Sequence, residues 1–149
     1  MAKEIHPTAI ISPDVEIEED TYIGPFCIIH DKVHIKKGTR LISNVVIEGA
    51  TEIGENCTIY PFTSIGLPPQ DMKDKGKKTE DKIGNQNTIR EYITIHRASV
   101  SGDGITAIGD HNFLMAYVHI AHDCKIGNSV IMANLATLAG HVSIEDHAV

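Results

Sequence analysis

Aliphatic residues recur at every sixth position along this chain. From Ile5 the series runs through Ile11, Ile17, Ile23, Ile29, Ile35, Leu41, Ile47, Ile53 and Ile59 to Ile65 without a miss. It resumes at Ile83, Ile89 and Ile95, then again from Ile108 through Leu114, Ile120, Ile126, Met132 and Leu138 to Ile144. A period of six fits neither an amphipathic helix nor an alternating strand. It fits a coil in which each hexad forms one short flat side and a turn. Four residues after each aliphatic stand Ala9, Val15, Thr21, Cys27, Val33, Thr39, Val45, Thr51, Cys57 and Thr63, all small or β-branched. Such residues suit a second inward position on extended backbone. Glycine repeatedly follows the aliphatic (Gly24, Gly54, Gly66, Gly84, Gly109, Gly127), and Asn, Asp or Gly is frequent in the next two places. These types tolerate the left-handed backbone of a tight corner. Three sides per coil give a rung of 18 residues, and stacked rungs lie about 4.8 Å apart, as in any sheet. No helical segment is predicted.

Two stretches leave the repeat. Residues 67–82 are polar and punctuated by Pro and Gly, with Lys73, Lys75, Lys77 and Lys78 close together; residues 101–107 form a shorter excursion. Insertions in a solenoid gather on one face, often the binding face. With 149 residues and no linker between them, the chain reads as a single domain over 1–149. Aromatics make up only 5% and Trp is absent, which suits a narrow interior filled by branched side chains. There is no signal peptide at the start and no long apolar run, so a cytoplasmic protein without membrane insertion is expected. A net charge of −7 disfavours nucleic acid. The cysteines Cys27, Cys57 and Cys124 occupy inward positions without metal or redox spacing, and are expected to be buried and reduced.

The histidines divide into two groups. His6, His30, His34, His111 and His147 are scattered over outward positions, as surface residues would be. His96, His119, His122 and His141 follow the rung. His122 and His141 are 19 residues apart, one rung plus one; His96 and His122 are 26 apart, or 19 once the seven residues of the second excursion are removed. This arithmetic predicts a drifting column on one corner edge, with His119 beside it. A chance column of imidazoles is improbable, so a functional cleft is expected there.

Zinc is one chemistry for such a cluster. The repeat resembles that of the γ-class carbonic anhydrases, but that family separates its two histidines by four residues, where two separate His119 from His122. General-base catalysis is the other. The segments His119-Ile120-Ala121-His122-Asp123-Cys124 and Leu138-Ala139-Gly140-His141 resemble the UDP-N-acetylglucosamine O-acyltransferases of lipid A biosynthesis. So do Pro25-Phe26-Cys27-Ile28, Ser64-Ile65-Gly66, Gln70-Asp71 and Thr94-Ile95-His96-Arg97.

The resemblance implies an all-β, left-handed parallel β-helix; general rules, which favour right-handed crossovers, give no such hand. It also implies a homotrimer with sites between subunits, and transfer of an R-3-hydroxyacyl group from acyl carrier protein to the 3-hydroxyl of UDP-N-acetylglucosamine. Under it His122 is the general base, Asp123 its orienting acid, and the Gly140 N–H the oxyanion donor. Gln70, Asp71, Lys73, His96, His119, Asn134 and His141 fall on substrate-cleft positions. No metal and no organic cofactor is required. The family continues through further coils and a C-terminal helical domain, so the 149 residues are expected to be truncated before them. The alternatives are a non-catalytic β-helical trimer or fragment that binds a nucleotide sugar or only assembles, and a γ-carbonic-anhydrase-like zinc protein.

Overall fold

In the computed structural model, which describes residues 2–149, each hexad supplies one short strand and one corner. The strands, most of them two residues long, form three parallel sheets of seven strands each. The first sheet stacks Glu4–Ile5, Tyr22–Ile23, Arg40–Leu41, Thr58–Ile59, Thr88–Ile89, Phe113–Leu114 and Ile131–Met132. Its register places Ile5 on Ile23 and Ile23 on Leu41, one full rung apart. The second sheet carries Thr94–His96 and His119–Ile120, and the third Glu80–Ile83, Ile105–Ile108 and Lys125–Ile126. The result is a three-sided parallel β-helix. No helix among the described residues is long and apolar enough to cross a membrane.

The six-residue series is the core. Ile23, Ile29, Ile35, Leu41, Ile47, Ile53, Ile59, Ile65, Ile89 and Ile95 are all fully buried and form one continuous apolar stack. Each such side chain contributes about 1.5–3 kcal/mol by leaving water. The second inward row holds the three free cysteines, all buried. Burial raises the pKa of each thiol, which disfavours the reactive thiolate. Several polar members of this row are satisfied by neighbouring rungs. Thr39 donates to Gly54 O (2.7 Å) and accepts from Cys57 N (3.0 Å). Asn87 donates to Gly109 O and accepts from Asn112 N, and Asn112 repeats the pattern with Gly127 O and Val130 N.

The corners are left-handed. Asp20, Asp31, Asn44, Asn56 and Asp123 have φ between 54° and 63°, as the Asn/Asp bias predicts. Phe26, Phe62, Tyr92, Tyr117 and Leu135 also have φ of 60–68°, which a bulky side chain ordinarily avoids. Stacking holds them there, because each N–H from Phe62 to Leu135 in that row donates to a carbonyl of the preceding rung. Their side chains are about half exposed, and Phe62, Tyr92 and Tyr117 stack with centroids 5.2 and 5.0 Å apart.

The structure moves the bounds of both excursions. Leu67 belongs to the strand Ser64–Leu67, and pairing resumes at Glu80, so the first excursion is 68–79 rather than 67–82. Pairing stops after His96 and returns at Ile105, so the second runs over 97–104 rather than 101–107. A charged residue in an inward slot hid the first return. Asp81 lies inside the coil between Thr51 and Thr106, 2% exposed, and burial pushes its pKa well above the carboxylate range. Thr106 and Arg97 offset part of this, although neither Asp81 oxygen completes a hydrogen bond.

Candidate active site

Both excursions leave the coil at the corner between the second and third sheets, and the histidines gather there. Thr94 and Ile95 pair with His119 and Ile120, and these with Thr137 and Leu138. This register sets His122 against Gly140 on the next rung, with His141 N donating to His122 O at 3.0 Å. The imidazoles therefore form two edge-to-face pairs rather than the single column expected. His96 meets His119 with centroids 5.1 Å apart at 79°, and His122 meets His141 at 5.1 Å and 86°. Each 19-residue step advances the ring one place around the corner, so like rings never eclipse.

His122 is the best-held ring. Its Nδ1 lies 2.9 Å from Asp123 Oδ2. A carboxylate oxygen only accepts, so Nδ1 carries a proton and Nε2 is the nitrogen turned away from Asp123. Asp123 is 2% exposed at its side chain, against 15% for His122 and 46% for His141. Its Oδ2 also accepts from Ser99 N (3.0 Å), and its own N–H donates to Thr106 Oγ1 (2.9 Å). The second excursion closes over it: a Cβ on Gly102 would come within 2.2 Å of Asp123 Oδ1. Gly140 lies flat under the His122 ring, where a Cβ would meet Cε1 at 2.4 Å and Nε2 at 2.6 Å. No described residue accepts the Gly140 N–H. The first excursion brings in Asp71, whose Oδ2 accepts from Ser99 Oγ at 2.5 Å and whose Oδ1 accepts from Lys73 N at 3.0 Å. Those bonds, the serine's first, hold its pKa below the usual range.

The other pair is tuned differently. Thr94 Oγ1 and His119 Nδ1 share a 2.6 Å hydrogen bond, and burial lowers the His119 pKa. His96 is 6% exposed with Nδ1 unpartnered, and burial, then the charges of His119 and His122, lower its pKa to about 4. His96 is thus neutral at pH 7. Because the folded value lies below the unfolded one, the unfolded chain binds the extra proton. Stability is full above about pH 6.5 and is lost as pH falls through 4, by up to about 3 kcal/mol. Urea midpoints at pH 7 and 4.5 should differ less in His96→Asn than in the parent; an equal difference would mean that the acid sensitivity arises elsewhere.

The structure thus unites His96, His119, His122, Asp123, Gly140, His141 and Asp71. Gln70 and Lys73 are exposed on the excursion next to Asp71. Asn134 is at the preceding corner, its Nδ2 3.5 Å from Ala116 O, one face of the coil away from the imidazoles. Thr94, Ser99, Ser101 (Oγ to His141 Nε2, 3.2 Å) and Thr106 hold the site and were not foreseen. Rung counting could have found Thr94, which lies in register with His119. The donor atoms of His122, Asp123 and His141 lie within 4.8 Å of one another, close enough for one divalent ion. Here the Asp123 oxygen facing the two rings is already engaged by His122 Nδ1 and Ser99 N.

Residues 106–140 match the family described as bacterial transferase hexapeptide (six repeats), a span that contains His119, His122, Asp123 and Gly140. The chain is 74% identical over 145 residues to the acyl-[acyl-carrier-protein]–UDP-N-acetylglucosamine O-acyltransferase of Thermodesulfovibrio yellowstonii. The alignment covers 97% of this chain and 56% of that protein. Over nearly its whole length the chain is thus similar to the first part of UDP-N-acetylglucosamine O-acyltransferases. It spans about half the length of the curated relative it matches. A crystal structure of UDP-N-acetylglucosamine acyltransferase superposes with TM-score 0.93 at 48% identity, covering 94% of this chain and 54% of that one. The acyltransferase from Bacteroides fragilis 9343 gives 0.90 at 38%, covering 95% and 55%. With these neighbours and the hexapeptide match, the coil is the left-handed parallel β-helix that the O-acyltransferase resemblance implied.

Proposed function

We propose that the chain carries the acyl-transfer centre of an enzyme that moves an R-3-hydroxyacyl group from acyl carrier protein to the 3-hydroxyl of UDP-N-acetylglucosamine, the first step of lipid A biosynthesis. The observation that carries this reading is the buried Asp123–His122 hydrogen bond held above a free Gly140 N–H. A sugar hydroxyl is a weak nucleophile until its proton is being removed, and neutral imidazole suits that task near pH 7. His122 Nε2 takes the hydroxyl proton as the oxygen attacks the thioester carbon. Asp123 stabilises the imidazolium that results. The Gly140 N–H donates to the oxyanion of the tetrahedral adduct, a contribution of about 3–4 kcal/mol. Collapse breaks the C–S bond, and the departing thiolate recovers the proton from His122. Asp71, His96, His119 and His141 border the space above His122 and serve to bind substrate, with Gln70 and Lys73 reaching it from the excursion and Asn134 from the neighbouring corner. No cofactor enters this scheme.

The working assembly in this proposal is a cytoplasmic homotrimer. The exposed row Phe62, Tyr92, Tyr117 and Leu135 supports association, since a solvent-facing apolar line along the coil is what a second copy covers. Mass-spectrometric turnover of UDP-N-acetylglucosamine with 3-hydroxyacyl carrier proteins tests the activity, and light scattering the assembly. Acylated sugar nucleotide and a mass of three chains are expected. Sugar binding without any product would support the non-catalytic alternative instead.

A further inference from the structure

Asp123 is held through one of its oxygens. Oδ2 lies 2.9 Å from His122 Nδ1 and accepts from Ser99 N at 3.0 Å, whereas Oδ1 is buried with no hydrogen-bond partner among the described residues. His141 Nε2, at 3.8 Å from Oδ2, stands outside hydrogen-bond range. His122 is the ring to be positioned, so the carboxylate's anchor to the rest of the chain is the Ser99 N–H. The bond from Asp123 N to Thr106 Oγ1 fixes its backbone but not its side chain. The dyad is then only as firm as the peptide that carries that one donor.

The first excursion clamps this peptide from its other side. The Ser99 N–H and the Ala98 C=O belong to one planar trans unit and point in opposite directions. Ala98 O accepts from Thr79 Oγ1 at 2.6 Å, and Thr79 is the last residue of the excursion. Ala98 and Ser99 are fully buried and Thr79 is 6% exposed. A line of buried hydrogen bonds thus runs from the Thr79 hydroxyl through the Ala98–Ser99 peptide to Asp123 Oδ2 and on to His122. Bonds in series at low dielectric polarise one another, so loosening the outermost link weakens those behind it.

Ser99 adds a second tie. Its Oγ donates to Asp71 Oδ2 at 2.5 Å, near the other end of the excursion. Between these anchors the hydrogen bonds of residues 72–78 stay within the excursion, among the described residues. Lys73 N and Asp74 N reach Asp71, and Gly76 N reaches Asp74 Oδ2. One buried peptide and its serine therefore connect the excursion to the base.

We infer that Thr79 and Ser99 are positioning residues for acyl transfer: through the Ala98–Ser99 peptide Thr79 sets Asp123 and with it His122, while the Ser99 hydroxyl sets Asp71 beside the same base. The inference rests on the acyl-transfer reading above. Neither hydroxyl meets a reacting atom. Together they fix the spacing between a substrate-binding carboxylate and the general base, and errors near 1 Å in such a spacing are costly.

The test compares Thr79→Val, which keeps the side chain's shape and removes the hydroxyl, with Thr79→Ser, which keeps the hydroxyl. Thr79→Val should lower kcat by about tenfold to a hundredfold, with Kd for UDP-N-acetylglucosamine little changed, and Thr79→Ser should recover most of the loss. Ser99→Ala leaves the peptide in place and frees Asp71. It should instead weaken UDP-N-acetylglucosamine binding by about threefold to tenfold, the worth of one hydrogen bond. Long-range proton–nitrogen NMR of the His122 ring, above its titration, reads the positioning itself: Nδ1 protonated in the parent, and a mixture of tautomers in Thr79→Val. A folded Thr79→Val with parental kcat and ring spectrum overturns the inference, as does a Thr79→Ser no faster than Thr79→Val. Should Thr79→Val not fold, Ser99→Ala decides, and parental affinity for the sugar nucleotide there overturns it. Failure of the acyl-transfer reading looks different: the parent gives no product, while the ring spectra still separate Thr79→Val from the parent.

Discussion

Replacing His122 by Ala is expected to lower kcat for acyl transfer by about 10²–10⁴, the range set by loss of a general base. That corresponds to about 3–5 kcal/mol of transition-state stabilisation. The site should otherwise survive, because His122 is not part of the apolar core and Asp123 keeps its bond from Ser99 N. Binding of UDP-N-acetylglucosamine should therefore change little, and the loss should fall on kcat rather than KM. Asp123→Asn separates orientation from basicity. Asparagine keeps the volume, but its amide can turn an N–H toward His122 Nδ1 and select the wrong tautomer. It should lose most of what His122→Ala loses. If His122→Ala kept more than a tenth of the parental kcat, the base would have to be sought elsewhere, His119 first.

The second large effect comes from one methyl group. Gly140→Ala places a Cβ 2.4 Å from His122 Cε1 and 2.6 Å from Nε2, so the ring must move. Movement breaks the 2.9 Å bond to Asp123 and swings Nε2 away from the substrate position. A fall in kcat of about 10²-fold or more is expected, since displacements near 1 Å already cost that much. Because the damage runs through His122, the double variant Gly140→Ala/His122→Ala should be no slower than His122→Ala alone. An additive loss would show that Gly140 acts by a route separate from the base.

The repeat made the fold legible, since period six admits few architectures and the aliphatic series placed nearly every strand. Handedness was another matter: it entered only through the resemblance, because hydrophobic spacing is identical for either hand. The ends of the excursions were misjudged for a local reason. Asp81 fills an inward slot that the repeat reserves for small or β-branched residues, and Ile105–Ile108 resumes before the next phased aliphatic. The histidine cluster could be found by counting because rungs convert sequence distance into stacking. Its supports at Ser101 and Gly102 could not, since they sit where the phase is lost. Counting also set His96, His122 and His141 in line, while the geometry of a one-residue drift pairs each ring with a different neighbour.

The axial register has a consequence for how such a chain can change length. Ile5 lies on Ile23, Ile10 on Ile28 and Glu16 on His34, so every rung before the first excursion presents the same hydrogen-bonding edge above and below. Excising or duplicating one complete rung there would return the chain to the same angular position, with each inward residue still inside. A gain or loss of one residue would instead rotate everything downstream. Genetic drift in size is thereby quantised: the barrel can be lengthened or shortened in whole turns far from the imidazoles, and the chemistry at the excursions need not be rebuilt each time.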